Sequence, residues 1–180
     1  MQTLIFTLSI AVCLFSFTPL HSQTPTHPPE QTTFSDSDSV KAPVAVPPAV
    51  ANLILADLAE DDMYGPTQAG KDADELFAGS EIHLGPANEI YLVVIGVCPV
   101  CGGDNDWFWI IRSPYKNPKI IGSGGGLGFA FLTTKTQGYR DLESDWASAA
   151  GLWKKDVYRF KGSEYKLWRH SEGQYPNPCQ

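Results

Sequence analysis

Positive charge is scarce in this chain, and so are histidine, cysteine and long apolar runs. Of 180 residues, 13 are Lys or Arg against 20 Asp or Glu, a net charge of −7. A general nucleic-acid binder needs a basic surface that displaces phosphate counterions, so that class is excluded. Beyond the amino-terminal segment no apolar run approaches the roughly 20 residues that cross a bilayer. The mature chain is therefore expected to be soluble, without stable membrane insertion. What is present suits a packed domain: 43% of residues are hydrophobic and 18% charged, which excludes wholesale disorder.

The first 22 residues contain no Asp, Glu, Lys or Arg. Residues 4–17 are largely apolar, match a signal-peptide core in length and are too short for a span. Pro19 ends the run and small residues follow, so residues 1–22 read as a signal peptide cleaved after Ser22. Cys13 does not fit a lipoprotein signal, because Val12 is large and the apolar stretch continues past the cysteine. The expected location is the periplasm or the outside of the cell. Residues 23–48 hold six Pro in 26 positions. Such a stretch buries too little to offset its ordering entropy, and its prolines favour the polyproline form. It is expected to be a disordered linker.

A single domain is expected over residues 49–180. Pro47 and Pro48 suit a helical first turn. Val50, Leu53, Ile54, Leu55 and Leu58 then recur near helical spacing, predicting a helix over 49–60. Residues 72–78 suit one further helical turn. After Ser80, β-branched and aromatic runs alternate with Gly, Pro and Asn: 81–84, 90–95, 107–111, 119–121, 129–133, 139–146, 157–160 and 165–168. The unbroken run 90–95 suits a central strand buried on both faces. Helical crossovers are missing, so the strands should be antiparallel. The predicted fold class is α+β: one N-terminal helix against a curled, mostly antiparallel sheet of about seven or eight strands.

Charge is unevenly spread. Residues 57–106 hold 11 acidic and 1 basic residue, whereas residues 107–180 hold 6 acidic and 11 basic. Lys154, Lys155, Arg159, Lys161, Lys166 and Arg169 crowd two adjacent predicted strands. They form either a basic face for an acidic polymer or protein, or ordinary cross-strand partners of the acidic half. Five Trp is a high count for this length. Such rings are usually core. The surface candidates are Trp107, Trp109 and Trp168, with Lys154, Lys155, Arg159, Lys166 and Arg169.

Removing Cys13 with the leader leaves Cys98, Cys101 and Cys179. Cys98-Pro99-Val100-Cys101-Gly102 is half of a zinc knuckle, yet a full site needs two more ligands, and only Cys179, His83 and His170 remain. A redox-active pair needs a depressed thiol pKa, commonly from a helix N-terminus. Here the pair follows a strand and enters Gly102-Gly103-Asp104-Asn105-Asp106, whose carboxylates act in the opposite sense. The structural reading suits an exported chain: Cys98 or Cys101 pairs with Cys179, or the two loop cysteines pair with each other, leaving one thiol free. The pairing stays open.

Other signatures are incomplete. Gly122 to Gly128 fails the spacing of a phosphate-binding loop and leads into a strand pattern, so a mobile turn or bulge is expected. Ile121 stands where a serine-hydrolase elbow needs Gly before Ser123. Asp104-Asn105-Asp106 offers oxygens to calcium without the rest of a loop. His83 alternates with Ile82 and Leu84 and is expected to face solvent. No cofactor fingerprint, metal set or catalytic residue is assigned. A hydrolase built on dispersed carboxylates requires a pocket that holds two of them.

Two stretches carry a resemblance. Gly126-Leu127-Gly128-Phe129 leads to Gln137-Gly138-Tyr139-Arg140-Asp141-Leu142, and Tyr158-Arg159-Phe160-Lys161-Gly162 leads to Tyr165. This resembles a loosely defined family of small exported bacterial proteins with N-G-Y-x-D-L and Y-R-F-D-G-x-x-Y elements, many with a cysteine loop before a Trp-rich strand. Gln137 replaces the usual Asn and Lys161 the usual Asp. The resemblance covers roughly residues 80–170 and implies export, with no established activity. The Gly-Tyr-Arg-Asp-Leu stretch is also distantly similar to FG-GAP repeats. The acidic loop that binds calcium there is missing before Gly138, so calcium does not carry over.

The expected function is a non-enzymatic exported domain that binds a protein or envelope polymer. The alternative is a thiol-disulfide or metal-dependent enzyme using Cys98 and Cys101.

Overall fold

The computed structural model describes residues 30–35, 40–60, 72–86, 89–97, 100, 106–148 and 150–175. The expected signal peptide lies outside these residues, as do Cys98, Cys101 and Cys179 with their expected disulfide. In chain order the elements are β1 (Thr33–Ser35), α1 (Pro48–Glu60), α2 (Ala73–Leu76), β2 (Phe77–Ile82), β3 (Tyr91–Gly96), β4 (Asp106–Arg112), β5 (Lys119–Gly126), β6 (Gly128–Thr136), β7 (Tyr139–Ala147), β8 (Leu152–Lys161) and β9 (Glu164–Gln174). The fold is α+β with antiparallel pairing, as the alternation patterns predict. The strands divide into two sheets, ordered β2-β3-β4-β5 and β1-β6-β7-β8-β9.

Period-two alternation explains the layering. Tyr91 and Val93 of β3, with Phe108 and Ile110 of β4, enter a core shared with Phe129, Phe131, Leu142 and Phe160 of the five-stranded sheet. Their neighbours Leu92, Val94, Trp109 and Ile111 face the other way and pack with Val50, Ala51, Ile54 and Leu58 of α1. The helix buries one stripe because these positions recur at three- and four-residue steps. The order is therefore helix, four-stranded sheet, five-stranded sheet. The run expected to be buried on both faces is β3, between β2 and β4.

Two local expectations need correction. The Pro-rich stretch is not a tether throughout. Thr33–Ser35 pairs with β6, and Phe34, 1% exposed, stacks on Phe129 at 4.8 Å. Val44 bridges to Gly79, and Val46 is buried beside α1. Single apolar side chains fill gaps in cores built by other elements, a signal that composition averages away. The glycine cluster, expected as a mobile turn or bulge, is not a turn, though a bulge stands beside it. It forms most of β5, slips register by one residue at Ile121, and ends where the chain leaves one sheet for the other. Its glycines are spacers. A Cβ on Gly126 would lie 2.3 Å from the Asp145 carbonyl oxygen, and one on Gly122 or Gly124 would crowd Tyr165 or Phe108.

Phe34→Ala is expected to lower unfolding free energy by about 3 kcal/mol in urea titration, the usual cost of a deleted core ring. A tether residue would show no change. Gly126→Ala is expected to cost about 2 kcal/mol, because backbone cannot yield as a side chain does. Parental stability in that variant would mean that the sheets can part at this corner.

Candidate functional site

The two stretches quoted for the resemblance fold onto each other. Gln137 and Gly138, both at positive φ, turn β6 into β7. Tyr139 stacks on Phe160 at 3.7 Å, and Tyr165 meets Phe160 edge-on at 5.6 Å. The Tyr165 hydroxyl donates to the Arg140 carbonyl at 2.8 Å. The Arg140 guanidinium donates to the carbonyls of Phe131 and Leu132, where the β6–β7 register is irregular. Gly162 and Ser163 form the tight turn expected near Lys161-Gly162, with Phe160 opposite Tyr165. These contacts hold the β8–β9 hairpin from its inner face.

Alternation then sends Arg159 and Lys161 to the outer face, because Tyr158 and Phe160 point inward. On β9, Leu167 pairs with Tyr158 and Arg169 with Val157, so Trp168 is the extra residue of a bulge. A bulge re-aims a side chain. Trp168 is 51% exposed and has two guanidinium groups close to its ring, Arg159 at 3.5 Å and Arg169 at 5.3 Å from the ring centre. Such contacts are worth roughly 0.5–2 kcal/mol each. Arg159, Lys161, Lys166, Leu167 and Trp168 line a pocket of about 520 Å³.

Beneath Arg159 sits the carboxylate of Asp141, 2% exposed. Arg159 Nε lies 3.7 Å from Asp141 Oδ2, too long for a hydrogen bond. Neither this Nε nor Asp141 Oδ1 has a hydrogen-bond partner among the described residues. The guanidinium is therefore positioned by charge and by the indole plane. Lys166 pairs with Glu164 at 2.6 Å, whereas Lys161 and Arg169 have no ion pair among the described residues.

The remaining surface candidates separate. Lys154 is exposed, 5.0 Å from the Trp146 ring centre. Lys155 joins Glu143 at 2.9 Å and Asp145 at 3.4 Å. Cross-strand pairing is thus real, but its acids come from β7 rather than from residues 57–106. Trp107 and Trp109 are not surface residues of this site. Both pack on the side of α1; Trp109 is 1% exposed and its indole N–H donates to Asp57 at 3.0 Å. Their strand lies between β3 and β5 with both faces covered, so aromatic richness there serves the core. Leu167 and Asp141 were not among the candidates, and Lys161 was named in the basic cluster without being singled out as a surface candidate. Alternation against Phe160 marks Lys161, but the bulge that brings Trp168 to Arg159 has no local sequence signal.

Other chemistry has less support. Val100, between Cys98 and Cys101 in sequence, is buried against α1's core and donates its N–H to the Val97 carbonyl at 2.8 Å. Among the described residues, no three His, Cys, Asp or Glu side chains gather as a metal site, and no helix is long and apolar enough to cross a membrane. Asp57 and Glu164 do share a pocket of about 330 Å³. Each is engaged, Asp57 by Trp109 and Glu164 by Lys166. His83 is exposed, as expected, with its ring 3.1 Å from Glu30.

Comparison of the chain with protein-family models, curated proteins and solved structures finds no match. The reading of the site therefore rests on its geometry.

His170 on β9 lies 2.6 Å from Asp156 and 3.3 Å from Glu172. Hydrogen bonds to Asp156 first and Glu172 second raise its pKa above the usual 6.5. The charged pairing is complete below the unfolded-state value and fades as pH rises through the folded midpoint. An NMR titration should place the His170 midpoint above 6.5, and Asp156→Asn should move it back down. An unshifted midpoint in the parent would show that these contacts do not hold in solution.

Proposed function

We propose that this chain is an exported, non-enzymatic domain that binds an anionic envelope polymer or acidic protein segment on the outer face of β8 and β9. The observation that carries the reading is the Arg159–Trp168–Arg169 stack over its pocket. A guanidinium laid on an indole keeps its edge nitrogens in plane and pointing outward. Among the described residues no hydrogen bond takes the terminal nitrogens of Arg159. Lys161 and Arg169 add cations without ion pairs there. A planar fork with flanking lysines suits carboxylate or phosphate groups. The apolar start of the chain and the resemblance to small exported proteins support action in the periplasm or outside the cell.

The test is titration of the protein with acidic polymers, polygalacturonate and polyglutamate, at low and physiological salt. At least one should bind, more weakly as salt rises. Arg159→Ala and Trp168→Ala should each weaken binding by roughly tenfold, a loss of about 1.4 kcal/mol. Absence of binding to any acidic polymer at low salt, or equal binding by both variants, would sink the proposal.

A further inference from the structure

Six residues before Arg159 on the same outer face of β8 stands Trp153, opposite Gly173 of β9. Its indole lies on the Gly173 backbone, where an added Cβ would come within 2.6 Å of the ring. Glycine there lets one ring face rest on the sheet. Trp153 also lines a second pocket, of about 370 Å³, with Leu152, Lys154, Glu172, Gly173 and Gln174. At about 3.3 Å per residue, Trp153 and Arg159 are about 20 Å apart along the strand. Between them Lys155 is shared by Glu143 and Asp145, one cation against two carboxylates, so the middle of the stripe holds no free cation and the ligand's carboxylate is assigned to the Arg159 end.

We infer that the ligand is an extended acidic polysaccharide that runs along β8 and β9, one sugar ring on Trp153 and a carboxylate in the Arg159–Trp168 pocket. This rests on the anion-binding reading and adds ligand length and class. The two aromatic stations differ in a way that assigns them. Trp168 is clasped by guanidinium groups and serves to hold charge. Trp153 is backed by glycine and half-buried, so a flat apolar ring face is what it offers. The C–H face of a pyranose suits that surface, and a uronic acid polymer supplies both a ring and a carboxylate. An acidic peptide added as a further strand fits less well. The outer edge of β9 is interrupted at Trp168, where the bulge breaks the regular ladder a new strand would need.

The experiment compares galacturonate dimer and octamer by calorimetry, and follows the indole N–H signals by NMR. The octamer should bind at least roughly tenfold tighter than the dimer and shift both the Trp153 and Trp168 signals, because a linked second contact adds avidity. Trp153→Ala should bring the octamer-to-dimer ratio close to one. Equal affinities, with only Trp168 shifted, would overturn the extended site while leaving the anion pocket intact. Polyglutamate binding as tightly as polygalacturonate of equal charge would overturn the sugar assignment. Failure of every acidic oligomer would remove the underlying proposal as well.

Discussion

Because β3 is apolar on both faces, the sheet that contains it needs a cover on each side, and the architecture follows from meeting that need. Leu92 and Val94 require α1, which explains why a helix with one apolar stripe precedes the sheet. Tyr91 and Val93 require a second sheet, and five strands supply it. The chain passes between the sheets at Gly126-Leu127-Gly128, where side chains would separate the layers. The Leu127 N–H donates to the Asp145 carbonyl at 2.7 Å, so the crossing is bonded to β7 rather than slack. Leu142, Phe160 and Tyr165, with Tyr158 packed against them, are thereby committed to the core, and Arg159, Lys161 and Lys166 stay outside it.

That division separates core side chains from exposed cations within one hairpin. Tyr158, Phe160 and Tyr165 pack inward, while Arg159, Lys161 and Lys166 alternate outward. Anchoring residues and outward-facing cations therefore interleave in sequence. The Phe160–Tyr139 stack and the bond from Tyr165 to the Arg140 carbonyl fix the hairpin against β7. Asp141 on β7 then lies under Arg159, so the strand that anchors the hairpin also supplies the buried charge beneath the pocket.

Much of this was legible in the residues. The two-faced strand, the helix stripe, the antiparallel class and the β8–β9 turn all follow from periodicity, which reports the local surroundings of each side chain. The basic pair of strands and Trp168 were also legible as surface candidates. What was not legible depends on register between distant strands. Phe34 reads as a lone apolar residue in a Pro-rich stretch until β6 is beside it. Trp109 reads as a platform until α1 covers it. The glycines read as a turn or bulge because their spacing role appears only once the second sheet approaches. Asp141 carries no local sign of burial, and its place under a guanidinium is a fact of pairing.

The cations of β9 admit a purely protective account. An edge strand of eleven residues invites pairing with other chains, and charges and bulges discourage it. That account covers Lys166, Arg169 and the bulge at Trp168. It does not cover Arg159, which belongs to β8, inside the sheet between β7 and β9. Nor does it explain Asp141. A carboxylate 2% exposed with one oxygen unpartnered among the described residues costs desolvation energy that edge protection never recovers. That cost falls beneath Arg159, whose guanidinium carbon lies 3.5 Å from the Trp168 ring centre. Trp153 on Gly173 makes the same point at the other end, since a glycine that seats an indole does nothing to shield an edge. What protection leaves unexplained is therefore Arg159 over Asp141 and Trp153 on Gly173, two positions on β8, inside the sheet rather than at its edge.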